Sequence, residues 1–155
     1  MSTVPTLNGQ VIGQAHYATR ALLEQATAPL GVDFTQVVAL NVLANGPVEP
    51  APLTQRITST LKVDEPEVQR VLATLVEANL AQVDHDADAP RLRLTDAGHT
   101  VQARIADAVA DISARLYAGI PTDEASAAAR ALTLVTQRAN AELAATRVRG
   151  PVGQK

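Results

Sequence analysis

Apolar positions along the chain recur mostly at spacings of three and four, and in one short stretch at a spacing of two. Between Leu7 and about Leu30, Val11, Ile12, Ala15, Ala18, Leu22, Leu23 and Ala26 mark one face of a helix, which Pro29 and Gly31 end. Phe34, Val37, Val38, Leu40, Val42 and Leu43 form a second helical block, with Asp33 as N-cap and Asn45-Gly46-Pro47 as its stop. Pro47, Pro50 and Pro52 read as an extended linker. A short third helix then runs from about Leu53 to Leu61, carrying Leu53, Ile57 and Leu61 on one face. After a tight turn at Lys62-Val63, Asp64 is a good N-cap and Pro66 suits a first helical turn. The fourth helix so started buries Val68, Val71, Leu72, Leu75 and Val76 and ends near Asn79.

The period then changes. Ala81-Gln82-Val83 is short and strand-like, Asp84 to Pro90 is polar and acidic, and Arg91-Leu92-Arg93-Leu94 alternates as a half-buried strand does. The segment reads as a small hairpin. Thr95 caps a fifth helix from Asp96 to about Ala118, with Val101, Ile105, Val109, Ile112 and Leu116 as its stripe. Such a helix is about 35 Å long, more than a small domain needs. Gly119 and Pro121 break it. Thr122-Asp123-Glu124 starts a sixth helix with acidic residues at its positive end, and Ala128, Leu132, Val135, Ala139 and Leu143 form its stripe.

The order is helix, helix, short helix, tight turn, helix, hairpin. A short helix joined by a tight turn to a second helix is the helix-turn-helix unit, and a following two-stranded hairpin makes it a winged helix. The expected fold is therefore mainly α, a winged helix-turn-helix with a two-stranded β wing, flanked by long helices. We divide the chain into an N-terminal dimerisation helix at 7–31, the winged helix-turn-helix at 32–94 and long C-terminal dimerisation helices at 95–146. Residues 1–6 and 147–155 read as tails. The long flanking helices carry apolar faces that one subunit cannot bury, so a symmetric homodimer is expected.

Composition narrows the function. Apolar residues make up 46% of the 155 positions and charged residues 19%, which is an ordinary globular balance. There are 29 alanines and only three aromatic residues, Tyr17, Phe34 and Tyr117, which fits thin, close helix packing. The absence of cysteine excludes disulfides, thiolate zinc sites and thiol-based sensing. No apolar run approaches the roughly 18 residues of a membrane span, and the N-terminus lacks the pattern of a secretory signal. A soluble cytoplasmic protein is expected.

The net charge of −3 argues against a nucleic-acid partner, and the objection concentrates where it matters: residues 53–94 hold 5 Lys/Arg against 7 Asp/Glu. Local placement points the other way. Gln55, Arg56, Thr58, Ser59, Thr60 and Lys62 lie on the short helix and turn, suited to phosphate contacts. Gln69 and Arg70 project from the helix after the turn, where glutamine pairs with adenine and arginine with guanine. The bland alternative for Arg70 is an ion pair with Glu67 on its own helix. A weak, salt-sensitive binder, or one whose affinity depends heavily on dimerisation, is the expectation.

Several stretches resemble the MarR family of bacterial transcriptional regulators. Phe34-Thr35-Gln36 to Leu43 is similar to the family's second helix. Pro52-Leu53-Thr54 through Ile57 and Leu61 is similar to its first helix-turn-helix helix, and Val68, Arg70, Leu75 and Leu80 fall where its recognition helix and exit carry such residues. Leu94-Thr95-Asp96-Ala97-Gly98 is the most specific piece, and resembles the signature where the wing returns to the long helix. The sequence departs from the family at Asp64-Glu65-Pro66-Glu67, where small hydroxyl residues are usual, and at Asn79, where glycine is. The resemblance implies a homodimeric repressor on a pseudo-palindromic operator in double-stranded DNA, with Thr54 and Glu67 also on the DNA side. It makes Arg91 the counterpart of the family's wing arginine and Arg93 a second candidate. It further implies a small-molecule effector between the dimer helices and the reading head, which puts His16, Tyr17, Arg20 and Phe34 on its lining.

Other classes find less support. A winged-helix protein-interaction module with weak or lost DNA binding stays open, because Asp64, Glu65 and Glu67 would suit a basic protein partner. Asp84-His85-Asp86 with Asp88 could hold a divalent cation together with His99, but hairpin tips are commonly acidic and solvated, so no metal site is assigned. Ser59, Ser113 and Ser126 carry no nucleophile signature, and there is no Gly-rich phosphate loop. No catalytic residue, enzyme activity or cofactor is expected, and no membrane partner.

Overall fold

The computed structural model describes residues 4–85 and 88–149. Its elements are α1 (Gly9–Thr27), a 3-10 turn (Ala28–Leu30), α2 (Phe34–Leu43), α3 (Pro50–Leu61), α4 (Glu65–Glu77), β1 (Ala81–Asp84), β2 (Arg91–Leu94), α5 (Asp96–Leu116) and α6 (Thr122–Arg149). The fold is mainly α with a two-stranded antiparallel wing, as the periodicity predicts. The chain divides into two compact units between Arg115 and Leu116.

In the first unit the core is built around α2. Val37, Ala39, Leu40 and Leu43 of this helix are buried with Leu53 and Ile57 of α3, Val68, Leu72 and Leu75 of α4, Leu92 and Leu94 of β2, and Ile105 of α5. Each fully buried side chain of this size contributes about 1.5–3 kcal/mol. Two devices fix the entry of α2. The Asp33 carboxylate accepts from the Gln36 N–H at 2.8 Å, and the Gln36 Oε1 accepts from the Asp33 N–H at 2.9 Å, closing a capping box. The same glutamine then donates through Nε2 to Thr74 Oγ1 at 3.0 Å, which ties α2 to α4.

Three boundaries differ from the sequence expectation. The third helix starts at Pro50, not Leu53, so Pro50 and Pro52 lie in its first turn rather than in a linker. Helix N-termini leave their first N–H groups unpaired, so prolines there forfeit no hydrogen bond. The fifth helix stops at Leu116, short of Ala118, and Gly119 turns the chain at φ 78°. The sixth runs on to Arg149, past the expected start of the tail at Arg147. Asn79 takes the left-handed conformation at φ 60° just past α4, as its replacement of a glycine requires.

The wing pairs Ala81 with Leu94, Gln82 with Arg93, Val83 with Leu92 and Asp84 with Arg91. A contact not foreseen in the sequence backs it. Val48 donates to the Leu92 carbonyl at 3.0 Å and Leu92 donates to the Val48 carbonyl at 2.8 Å, so the segment before α3 bridges the outer edge of β2.

The join between wing and α5 explains the Leu94–Gly98 signature. The Thr95 N–H donates to the Leu80 carbonyl at 3.1 Å, and its Oγ1 donates to the Asn79 carbonyl at 2.6 Å. That Oγ1 also accepts from the Gly98 N–H at 3.0 Å, capping α5. Gly98 is buried, and a Cβ there would lie 1.9 Å from the Leu80 carbonyl oxygen. Glycine is what lets α5 pass this close to the exit of α4.

The second unit is dominated by α6. Its Leu132, Leu134, Val135 and Leu143 are 40–47% exposed. In the first unit, Leu7, Val11 and Leu22 at the N-terminal end are likewise exposed.

Candidate nucleic-acid interface

The helix-turn-helix consists of α3, a turn at Lys62-Val63-Asp64, and α4. Lys62 makes the turn in a left-handed conformation at φ 57°, its N–H donating to the Thr58 carbonyl at 2.8 Å. Its ammonium folds back to donate to the Ser59 carbonyl, near the negative end of α3. Asp64 caps α4 by accepting from the Glu67 N–H at 3.2 Å. The acidic first turn therefore serves the helix: Asp64 as cap, Glu65 and Glu67 against the positive end of the dipole.

Apolar residues hold the two helices together, so their polar residues face outward. Gln55, Arg56, Ser59 and Thr60 are exposed on α3 and, with Pro52, line an open concavity of about 380 Å³. On α4, Gln69 and Arg70 are exposed and Glu67 is half-buried. Among the described residues Arg56 and Arg70 have no ion-pair partner, so the Glu67–Arg70 pair is not formed. Thr54 departs from its expected place on the DNA side. It is 5% exposed, and its Oγ1 accepts from Gln69 Nε2 at 3.1 Å. Packing of α3 on α4 buries it beneath the surface that its neighbours form.

The wing separates its two arginines. Arg91 is exposed and without an ion-pair partner among the described residues. Arg93 lies with its Nε 3.8 Å from Asp84 Oδ2 and donates to the amide oxygen of Gln82, its cross-strand neighbour. Arg93 is therefore engaged in holding the strand pair. The alternation in Arg91-Leu92-Arg93-Leu94 found these residues but not the role of Gln82. Asn79, Gln82, Arg93, Thr95, Asp96 and Ala97 line a second polar concavity of about 350 Å³ at the root of the wing.

The four expected effector residues come together where α1 passes the start of α2. The His16 and Tyr17 rings are 5.5 Å apart, and the His16 and Phe34 rings meet edge-on at 6.2 Å. The Arg20 guanidinium lies 4.3 Å from the Phe34 centroid, a cation–π contact, and its Nε donates to Glu24 Oε1 at 2.7 Å. Tyr17 is 70% exposed, so the cluster is open to solvent on its outer side. Among the described residues no group of three or more His, Cys, Asp or Glu could hold a metal ion, and Asp86 of the hairpin tip lies outside them. No single described helix is long and apolar enough to cross a membrane.

No protein-family model matches the chain, and no curated protein does. Solved structures do. The transcriptional regulator SlyA superposes with a TM-score of 0.73 at 19% identity, covering 86% of this chain and 94% of its own. CouR from Rhodococcus jostii RHA1, solved with p-coumaroyl-CoA bound, gives 0.69 at 15% identity over 83% of this chain and 90% of its own. A MarR family protein of Mycobacterium tuberculosis in complex with p-aminosalicylic acid gives 0.67 at 19%, over 84% and 98%. The chain thus has the winged-helix fold of the MarR-family regulators, along nearly the whole length of each.

Proposed function

We propose that this chain is a DNA-binding transcriptional regulator of MarR type, acting as a homodimeric repressor on a pseudo-palindromic operator. The observation that carries the reading is the helix-turn-helix itself. Its outward face presents Gln55, Arg56, Ser59, Thr60, Gln69 and Arg70, with two arginines free of ion pairs among the described residues. Residues of α3 contact phosphates, α4 enters the major groove with Gln69 and Arg70 toward base edges, and Arg91 reaches the minor groove from the wing. The exposed apolar stripes of α1 and α6 meet their counterparts in a second copy. Two reading heads then span one duplex.

The His16–Tyr17–Phe34 cluster with Arg20 takes an effector carrying an aromatic ring. Rings stack or meet edge-on with ring faces, and a guanidinium one turn along suits an acidic substituent. The aromatic ligands in the CouR and Mycobacterium structures support this chemistry. Binding there favours an arrangement of the dimer in which the two recognition helices no longer match both half-sites, and DNA is released.

The test is a gel shift on the DNA upstream of the protein's own reading frame across a salt series. A regulator binds with an affinity that falls steeply with salt, because each neutralised phosphate contributes about 0.9 to the log–log slope. No binding at low salt, or binding without a slope, overturns the reading. That outcome would favour the protein-interaction module, whose supporting feature is the acidic first turn of α4 at Asp64, Glu65 and Glu67.

A further inference from the structure

Two asparagines in the chain precede a glycine, at Asn8-Gly9 and Asn45-Gly46. The asparagine amide is a thermolabile group, and a following glycine has no side chain to keep the next backbone nitrogen from attacking it. The fold treats the two sites differently. Asn8 is the N-cap of α1: its Oδ1 accepts from the Val11 N–H at 2.9 Å, and its backbone is extended at φ −154° and ψ 175°. The start of the helix therefore holds both its side chain and its main chain. Asn45 lies past the end of α2, in the turn that leads to α3. It is exposed, and its side-chain amide has no hydrogen-bond partner among the described residues. Gly46 sits at φ 130°, a conformation that favours glycine, and a Cβ there would meet nothing within 4 Å, so the turn has room to move. The Gly46 N–H donates to the Leu43 carbonyl at 3.2 Å, a long bond at a helix end that frays.

We propose that Asn45 is a site of spontaneous deamidation and isomerisation, and that the isomerised product unfastens the wing. The Gly46 nitrogen attacks Asn45 Cγ, and a C–N bond forms as the Cγ–Nδ2 bond breaks. The proton of the attacking nitrogen passes through solvent to the departing amide, which leaves as ammonia, and a cyclic succinimide remains. Water then opens the ring. Addition at Cγ gives aspartate, and addition at the main-chain carbonyl carbon gives isoaspartate. One water is consumed and one ammonia released, with nothing oxidised or reduced. Both products carry a new carboxylate. Isoaspartate also routes the main chain through Cγ and lengthens it by one methylene. Just beyond, past Pro47, Val48 exchanges both of its backbone hydrogen bonds with Leu92, at 3.0 and 2.8 Å. That bridge needs the turn at its native length, so the isoaspartyl chain loses it.

The experiment incubates the full-length protein in warm, mildly alkaline buffer, folded and, in parallel, in denaturant. Trypsin cuts after Arg20 and Arg56 and so places the two sites on separate peptides. Mass spectrometry follows the exchange of the amide NH₂ for OH, and electron-based fragmentation separates isoaspartate from aspartate. In the folded protein Asn45 is expected to convert about fivefold faster than Asn8, the worth of one N-cap hydrogen bond, with isoaspartate in excess. In denaturant the two rates converge. Asn45→Gln stops conversion at that position and leaves the rate at Asn8 unchanged. The isoaspartyl form, separated by ion exchange, loses the nuclear Overhauser contact between the Val48 and Leu92 backbones. Fresh Asn45→Asp protein, with the charge but not the extra methylene, keeps it. An Asn45 that stays intact, or that reacts no faster than Asn8, overturns the proposal, as does a rate difference that persists in denaturant. An isoaspartyl protein that keeps the Val48–Leu92 contact overturns the link to the wing. So does an Asn45→Asp protein that loses it, because charge rather than chain length would then be the cause.

Discussion

Gly98 and Arg70 show how differently single residues matter in this fold. At Gly98 the constraint is steric, with the Leu80 carbonyl oxygen 1.9 Å from where a Cβ would be and both groups on backbone that secondary structure holds in place. Gly98→Ala is expected to lower stability by about 3 kcal/mol, at the upper end for forced overpacking, read from denaturant unfolding. An unchanged midpoint would mean that α5 slides along α4 freely. At Arg70 the constraint is chemical. The side chain is exposed and unpaired among the described residues, so the fold does not need it. Arg70→Ala is expected to leave the unfolding midpoint in place, cost about 1–3 kcal/mol of DNA affinity and relax base preference at one position. Unchanged specificity would remove Arg70 from the reading surface. The Leu94-Thr95-Asp96-Ala97-Gly98 motif was visible in the sequence as a resemblance. Its cause was not, because the Leu80 carbonyl that explains it belongs to another element.

Among the elements, the wing carries a division of labour between residues two positions apart. Arg93 is held by Asp84 and Gln82, whereas Arg91 is not held among the described residues. Arg91→Ala is therefore expected to weaken binding to all duplexes alike and to lower the salt slope by about one contact, measured by anisotropy at several salt concentrations. An unaffected affinity would place the wing off the DNA. The elements that could be read from the sequence are those that local chemistry specifies. The stripes of α1, α2, α4 and α5, the Asp33 and Asp64 caps and the alternation of β2 all signal within a few residues. Features that rest on partners far along the chain gave no such signal. The Val48–Leu92 bridge spans one residue pair and has no period. The Thr54–Gln69 bond joins residues whose types are common on any helix surface. The start of α3 was hidden for another reason: proline reads as a breaker, and only its position within the first turn makes it compatible with a helix.

For the whole molecule, the apolar side chains left exposed on α1 and α6 are the outstanding quantity. Leu132, Leu134, Val135 and Leu143 each show 40% or more of their surface. A chain exposing this many large apolar side chains on one helix is prone to associate. Sedimentation or scattering at micromolar concentration is expected to give twice the mass of the 155-residue chain. A monomer would leave a single reading head, too weak for specific occupancy. A dimer would also offset the poor charge balance of the head, since two modest contacts on one duplex multiply. The stripe on α6 is what raises a dimer as an expectation from the sequence, and the geometry of such a dimer would depend on a second copy.

The bridge at Val48 gives β2 a pairing neighbour on both edges: β1 on one side, and on the other the approach to α3, which takes both the N–H and the carbonyl of Leu92. For that residue the wing is not a free hairpin but the middle of a three-ply weave. Its amide proton is reached by deuterium only when the first unit opens as a whole, so Leu92 should exchange as slowly as the core of α2. Exchange faster than that would mean the root of the wing opens independently. Mechanically, a force on the wing is delivered to the chain two residues before α3 begins. The arm that would lie in one groove and the helix that would rest on the phosphates are thus sprung from the same anchor.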